Sequence, residues 1–224
     1  MKKPIAAIAV FCLLSCCFLI LCACKDVSRY EAEVSQLRFA CFNGESETYS
    51  VTAYSERREY PLLSDGYAGE KSNFVVLKIQ FKNSQKSLIN DLSADFYVDK
   101  AYNVKLVYKP ENECYVANVA VSELPSEDFT LTLTVGSESE NVPLKKFLNA
   151  SLTPTKVLSA ATSAKKELFE KLDAENADYE IMIRLMIENE QAFYYVGIVE
   201  TEYTTALLFD DGGKLLAEKR LKNV

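Results

Sequence analysis

The residues whose types and spacing could support chemistry in this chain are paired carboxylates: Glu200 with Glu202, Asp210 with Asp211, and Glu138 with Glu140. Two carboxyls can divide acid and base work on a glycan. Asp210, Asp211 and a backbone carbonyl could begin a calcium site, but the third and fourth carboxylates are missing. Each pair falls at an expected hairpin end, where solvated acidic residues are ordinary turn formers. The chain contains no histidine. That removes Ser-His and Cys-His nucleophile pairs, histidine-ligated zinc and histidine general bases together. No Gly-rich phosphate loop, EF-hand pattern or Cys-x-x-Cys pair downstream of Cys24 is present. The expectation is a protein that is not an enzyme, with no catalytic residue, no metal and no cofactor. The alternative is a carboxylate-based enzyme acting on cell-wall polymers. Thirteen tyrosines and no tryptophan leave recognition as a further use of side chains. Tyr54, Tyr60 and Tyr67, around the stretch "ERREYPLLSDGYAGEKSN", are the candidate ligand-binding residues; the competing reading has them covering sheet edges.

The elements that must position these groups begin after a greasy leader. Met1-Lys2-Lys3 is a basic head, and no charge occurs from Ile5 to Ala23, the pattern of a signal segment or a short membrane span. The run leaves through small residues and "KDVSRYEAE" rather than through flanking basic and aromatic anchors. Leu21-Cys22-Ala23-Cys24 resembles the lipobox of bacterial lipoprotein signal peptides. That resemblance implies diacylglycerol on the Cys24 thiol and cleavage that makes Cys24 the new N-terminus, residues 1–23 being the signal peptide. Leu13-Leu14-Ser15-Cys16 ranks second, because it strands an apolar segment beyond the cleavage point. Cys22 ranks third, because Leu21 is bulky where a small residue is wanted. An uncleaved apolar anchor is the remaining alternative. Each of these readings places the rest of the chain outside the cytoplasm, at a cell membrane.

Losing Lys2 and Lys3 with the leader takes the formal charge from −7 to −9. Such a chain is repelled by phosphate polyanions, which argues against nucleic acid and against adhesion to anionic lipid through basic side chains. Membrane attachment is therefore expected through the lipid. Cys41 and Cys114, the cysteines that remain, are too few for a disulfide scaffold, so the core must hold the fold.

Residues 24–34 read as a polar tether, and 35–147 as a run of strands. Phe129, Leu131, Leu133 and Val135 alternate with threonines, the period of a half-buried strand. Residues 75–81 and 115–121 alternate likewise, and 36–42, 47–54, 94–98, 103–108 and 141–147 are further candidates. Frequent turns and no helix in this region suggest an immunoglobulin-like β-sandwich. For the first hairpin, matching apolar residues across the pair favours a Phe42-Asn43-Gly44 loop with Gly44 left-handed, Cys41 opposite Glu45 and Leu37 opposite Tyr49. Leu37, Phe39 and Cys41 then share the core face. Cys114 falls in phase with Val116, Asn118 and Ala120, on the less apolar face of its strand, so it is expected as a peripheral thiol unbonded to Cys41.

Residues 148–153 read as a linker. Thr153-Pro154 is a good helix start, a hydroxyl cap before proline at the first helical position. Val157, Ala161, Ala164, Leu168 and Leu172 give one stripe on a helix ending near Ala174. The period then returns to two in "IMIRLMI", "FYYVGIVE", "YTTALLF" and "KLLAEKRL". One helix on a four-stranded antiparallel meander makes residues 154–224 a small α+β domain. This domain resembles the PepSY and PepSY-like domains of bacterial extracytoplasmic proteins, on Tyr194-Tyr195-Val196-Gly197 and on the Leu207 to Leu216 hairpin with its Asp-Gly turn. The family's usual threonine before the turn glycine is replaced by Gly212. The resemblance implies a regulatory or binding module with an envelope protein or a peptidase as partner. The function expected from the whole sequence is a lipid-anchored extracytoplasmic binding or regulatory lipoprotein, with a mainly β fold.

Overall fold

The computed structural model describes residues 27–62, 65–82 and 91–223; the leader, Cys24 and its two rivals lie outside them. The chain is mainly β, with 58% of the described residues in strands and 15% in helices. The strands are β1 (Val34–Glu45), β2 (Tyr49–Glu59), β3 (Lys71–Phe81), β4 (Leu92–Tyr97), β5 (Ala101–Lys105), β6 (Val107–Lys109), β7 (Cys114–Val121), β8 (Phe129–Val135), β9 (Glu138–Lys146), β10 (Tyr179–Glu188), β11 (Gln191–Glu200), β12 (Tyr203–Asp210) and β13 (Leu215–Lys222). The helices are α1 (Ser28–Glu31), α2 (Pro154–Ala164) and α3 (Lys166–Glu175). None of them is long and apolar enough to cross a membrane.

The first nine strands nearly close on themselves. β1, β2, β3, β7 and β6 pair in that order, β5 continues from β6 across Leu106, and β4, β8 and β9 follow. Leu106 holds the corner by donating its N–H to the Leu92 carbonyl at 2.9 Å. β9 then returns to β1, with Phe42 opposite Lys146. Period-two alternation fills the interior: Val75, Leu77, Ile79, Leu131, Leu133, Val142 and Leu144 are all buried in one cluster. The remaining edge of β1 pairs in parallel with β10, Leu37 opposite Ile183, and β11, β12 and β13 continue as an antiparallel meander. A second cluster lies between this meander and the helices, built on Val157, Leu158, Phe169, Ile181, Val196 and Phe209.

β1 changes its outer neighbour from β10 to β9 along its length, and a bulge between Arg38 and Ala40 marks the change. A bulge adds local twist and re-aims side chains. Phe39, the extra residue, is 40% exposed. The expected first-hairpin register is therefore corrected. Cys41 lies opposite Tyr54, Leu37 opposite Arg57 and Gly44 opposite Val51, and the turn is Ser46–Thr48, closed by Ser46 Oγ on the Tyr49 amide at 3.0 Å. Matching of apolar faces misled because β1 is buried on both sides: Ala40 and Phe42 belong to the first cluster, Val34 and Cys41 to the second. A strand without a wet face offers no alternation to set its register.

Three smaller expectations change as well. The described part of the tether is docked: Ser28–Glu31 form a helical turn, and Tyr30 is buried against Phe169, ring centroids 4.8 Å apart. The single long helix is two, because Phe169 would lie about 80° from Ala161 around a straight helix. The break at Lys165 returns Phe169 and Leu172 to the core and leaves Ala164 exposed. Its start is as read, Thr153 Oγ1 accepting from the Lys156 amide at 3.4 Å ahead of Pro154. Cys114 is not peripheral; it is 3% exposed, although its strand has the expected phase.

Candidate functional site

The carboxylate pairs do not converge. Asp210 Oδ1 accepts the amides of Gly212 (3.0 Å) and Lys214 (2.8 Å), which folds the β12–β13 turn. Asp211 Oδ1 accepts the Ser151 amide at 2.8 Å, tying the connector to that turn. Glu200 stands at the other end of β12, 3.5 Å from Arg220. Glu138 and Glu140 open β9. These groups are spread over separate turns, and Asp210, Asp211 and Glu200 are committed to local partners.

The tyrosines divide. Tyr67 is 59% exposed and donates to Asp178 Oδ2 at 2.6 Å, beside a cavity of about 460 Å³ that Arg29, Tyr30, Asp173 and Tyr179 also line. Arg29 and Tyr30 both bond Asp173 there, so the wall is satisfied internally. Tyr54 and Tyr60 lie elsewhere, on a face of the large sheet where Tyr54 is half-buried and packs against the second cluster while Tyr60 is exposed.

That face is built by the alternate residues of five adjacent strands. Register puts Tyr195, Arg184, Arg38, Glu56 and Phe74 side by side across β11, β10, β1, β2 and β3. In the next row Met182, Gln36 and Arg58 are neighbours. Glu56 is 2% exposed and is the organising anion. It accepts from Gln36 Nε2 at 3.2 Å and Arg38 Nε at 2.6 Å, and pairs with Arg58 Nε at 3.2 Å. Gln36 Oε1 in turn takes Arg184 Nε at 2.6 Å. Arg58 reaches on to the Glu59 carbonyl (3.1 Å) and Asn118 Oδ1 (3.3 Å).

Each guanidinium also lies over an aromatic ring: Arg38 over Tyr54 at 4.2 Å, Arg58 over Phe74 at 4.3 Å and Arg184 over Tyr195 at 5.5 Å. Tyr60, 74% exposed, packs on Phe74 at 5.6 Å. Stacked, pre-oriented guanidiniums lose little freedom when they bind a carboxylate or phosphate in two-point fashion.

The charge balance is one-sided. Two arginines pair with one carboxylate, a third, Arg184, is bonded to the adjoining Gln36, and Lys78 Nζ lies 5.6 Å from the Tyr54 ring, in a chain whose net charge is −7. Arg38 directly faces Arg184 across β1 and β10, a cross-strand arrangement that is unfavourable without anions nearby. Burial and then the Arg38 charge hold the Arg184 guanidinium below its usual pKa. The arrangement can take up an acidic group; the Cys41 thiol beside Arg38 and Tyr54 is buried and its pKa is pushed up to about 12 by desolvation. The sequence signal was present but weak: Gln36 with Arg38, and Glu56 with Arg58, place hydrogen-bonding charges at spacing two inside strands.

Compared with known proteins, the chain matches no family model, no curated protein and no solved structure.

Proposed function

We propose that this protein is a lipid-anchored, extracytoplasmic binding or regulatory lipoprotein without catalytic activity, held at the outer side of a cell membrane by diacylglycerol on Cys24. Its binding surface is the arginine face, with Tyr54 and Tyr60, and its partner is an envelope protein or peptidase that presents an acidic segment. The observation carrying this reading is the surplus of three stacked guanidiniums over the single carboxylate of Glu56. In this reading residues 35–147 act as an immunoglobulin-like sandwich body and residues 154–224 as a PepSY-like α+β domain. The two separate hydrophobic clusters and the helices laid on a four-stranded meander support that division.

The test uses the full chain purified in detergent and titrated with poly-glutamate and poly-lysine. Binding of poly-glutamate that weakens with salt, and about tenfold weakening by Arg184→Gln, equivalent to roughly 1.4 kcal/mol, is the expected result. Equal affinity for poly-lysine would overturn the reading. Detergent partitioning that survives Cys24→Ala would overturn the anchor.

A further inference from the structure

Glu180 is completely buried, and neither of its carboxyl oxygens has a hydrogen-bond partner. The Ser35 hydroxyl is also buried and unpartnered. The two are neighbours because the pairing of β1 with β10 slips between Val34 and Gln36. The backbone of Gly66 covers Glu180 from another side. Gly66 belongs to the segment Asp65–Gly69, which is fastened at two points. Tyr67 donates to Asp178 Oδ2 at 2.6 Å, and the Gly69 amide donates to the Glu59 carboxylate. Gly66 takes φ +87°, and a Cβ on it would stand 3.6 Å from the Asp178 carbonyl oxygen, so the segment passes close over the start of β10.

The charged groups around Glu180 are acidic. Glu59 faces it from β2 and Asp65 from the segment. The cations on adjoining strands are turned to other acceptors: Arg58 to Glu56, Asn118 and the Glu59 carbonyl, Lys71 to the Val34 carbonyl at 2.7 Å. Just ahead of its own strand, Asp178 is occupied by Tyr67, and β11 places the apolar Val199 opposite Glu180. With only the Ser35 hydroxyl and the Gly66 amide near enough to favour it, and neither in good hydrogen-bond geometry, an enclosed carboxylate charge is disfavoured and the neutral acid is the form that fits.

We propose that Glu180 is a proton-operated latch: the neutral acid lets Asp65–Gly69 lie against β10, and ionisation loosens that segment. Because Glu59 both anchors the segment and, through its carbonyl, receives Arg58, loosening alters the arginine face. That consequence rests on the binding role assigned to the face; the latch itself does not.

Burial, reinforced by Glu59 and Asp65, raises the carboxyl above its usual value, while Ser35 and Gly66 act in the other direction. With the folded value above the unfolded one, the contribution of the neutral acid is fully present below the ordinary carboxylate pKa. It is lost as pH rises through the folded value. Amide exchange of the full chain in detergent, followed from about pH 5 to about pH 9 and corrected for intrinsic rates, reads this out. Protection of Asp65–Gly69 is expected to fall at least about tenfold with rising pH while β8 stays protected. Glu180→Gln should hold protection constant, and Ser35→Ala should move the midpoint upward. Flat protection in the unaltered chain, a fall that persists in Glu180→Gln, or an unmoved midpoint in Ser35→Ala would each overturn the latch. Poly-glutamate binding at one fixed pH, with and without Arg184→Gln, reports on the arginine face alone and separates the two failures.

Discussion

Glu56 shows how much a single side chain can decide in this protein. Its carboxylate is 2% exposed, with Arg38 at 16% and Arg58 at 9%. Ion pairs this dry add little over apolar substitutes, yet removing one member strands the others. Glu56→Ala leaves two shielded guanidiniums without their anion, and it is expected to cost about 3 kcal/mol in urea unfolding. A loss under about 1 kcal/mol would mean that solvent reaches these groups freely. The cysteines make the opposite case, inert by burial. Cys41 is fully enclosed and its thiol is pushed up to about 12 by desolvation, and Cys114 is raised for the same reason. The two are unbonded, as expected, but not for the expected reason: the register sets both on one face of the sheet, and β2 and β3 hold them apart. Near pH 8 neither should react with a thiol reagent until the chain is unfolded, when both should. Fast labelling of folded protein would contradict this.

At the level of elements, β1 holds the arrangement together, and Gly44 is its tightest point. The sequence suggested a left-handed turn residue there. The structure instead needs a missing side chain, since a Cβ would lie 2.5 Å from the Pro143 carbonyl oxygen and 2.6 Å from Leu144 Cδ2. Gly44→Ala must push β9 away from β1, and a loss of about 1–3 kcal/mol in thermal or urea unfolding is expected. No measurable loss would place the β1–β9 closure further apart than described. The helix cap is a gentler test of local logic. Thr153→Ala removes one acceptor at the first turn of α2 and should cost about 1 kcal/mol. Both outcomes come from short-range geometry, but only the cap was readable in advance, because Thr-Pro is a local signal and the Gly44 contact is made with a strand a hundred residues away.

At the level of the molecule, the connector at 148–153 joins parts that also touch through β1. Val34 and Cys41 contribute to the helix-side cluster, Ala40 and Phe42 to the strand-side one. The connector is itself fastened, Ser151 to Asp211 and the Leu152 amide to Tyr194 Oη at 3.2 Å. Leu148 is 81% exposed and is the accessible place for a protease. Cleavage there is expected to leave two fragments that elute together by size exclusion, because the parallel β1–β10 pairing survives the cut. Fragments that separate without denaturant would show that the pairing is not needed for either part.

By itself the sequence determined the mainly β character, the places of the strands, the start of α2 and the four-stranded meander. These rest on periods and caps that act over a few residues, so neighbouring side chains carry the information. It also determined that histidine chemistry is absent. Only the tertiary structure decided that Arg38 meets Arg184 and that Glu180 lies under Gly66. Partners so distant in sequence are brought together by the parallel pairing of β1 with β10, whose position follows from the burial of β1 on both faces. A strand buried on both faces has lost the wet-and-dry alternation from which a register can be read.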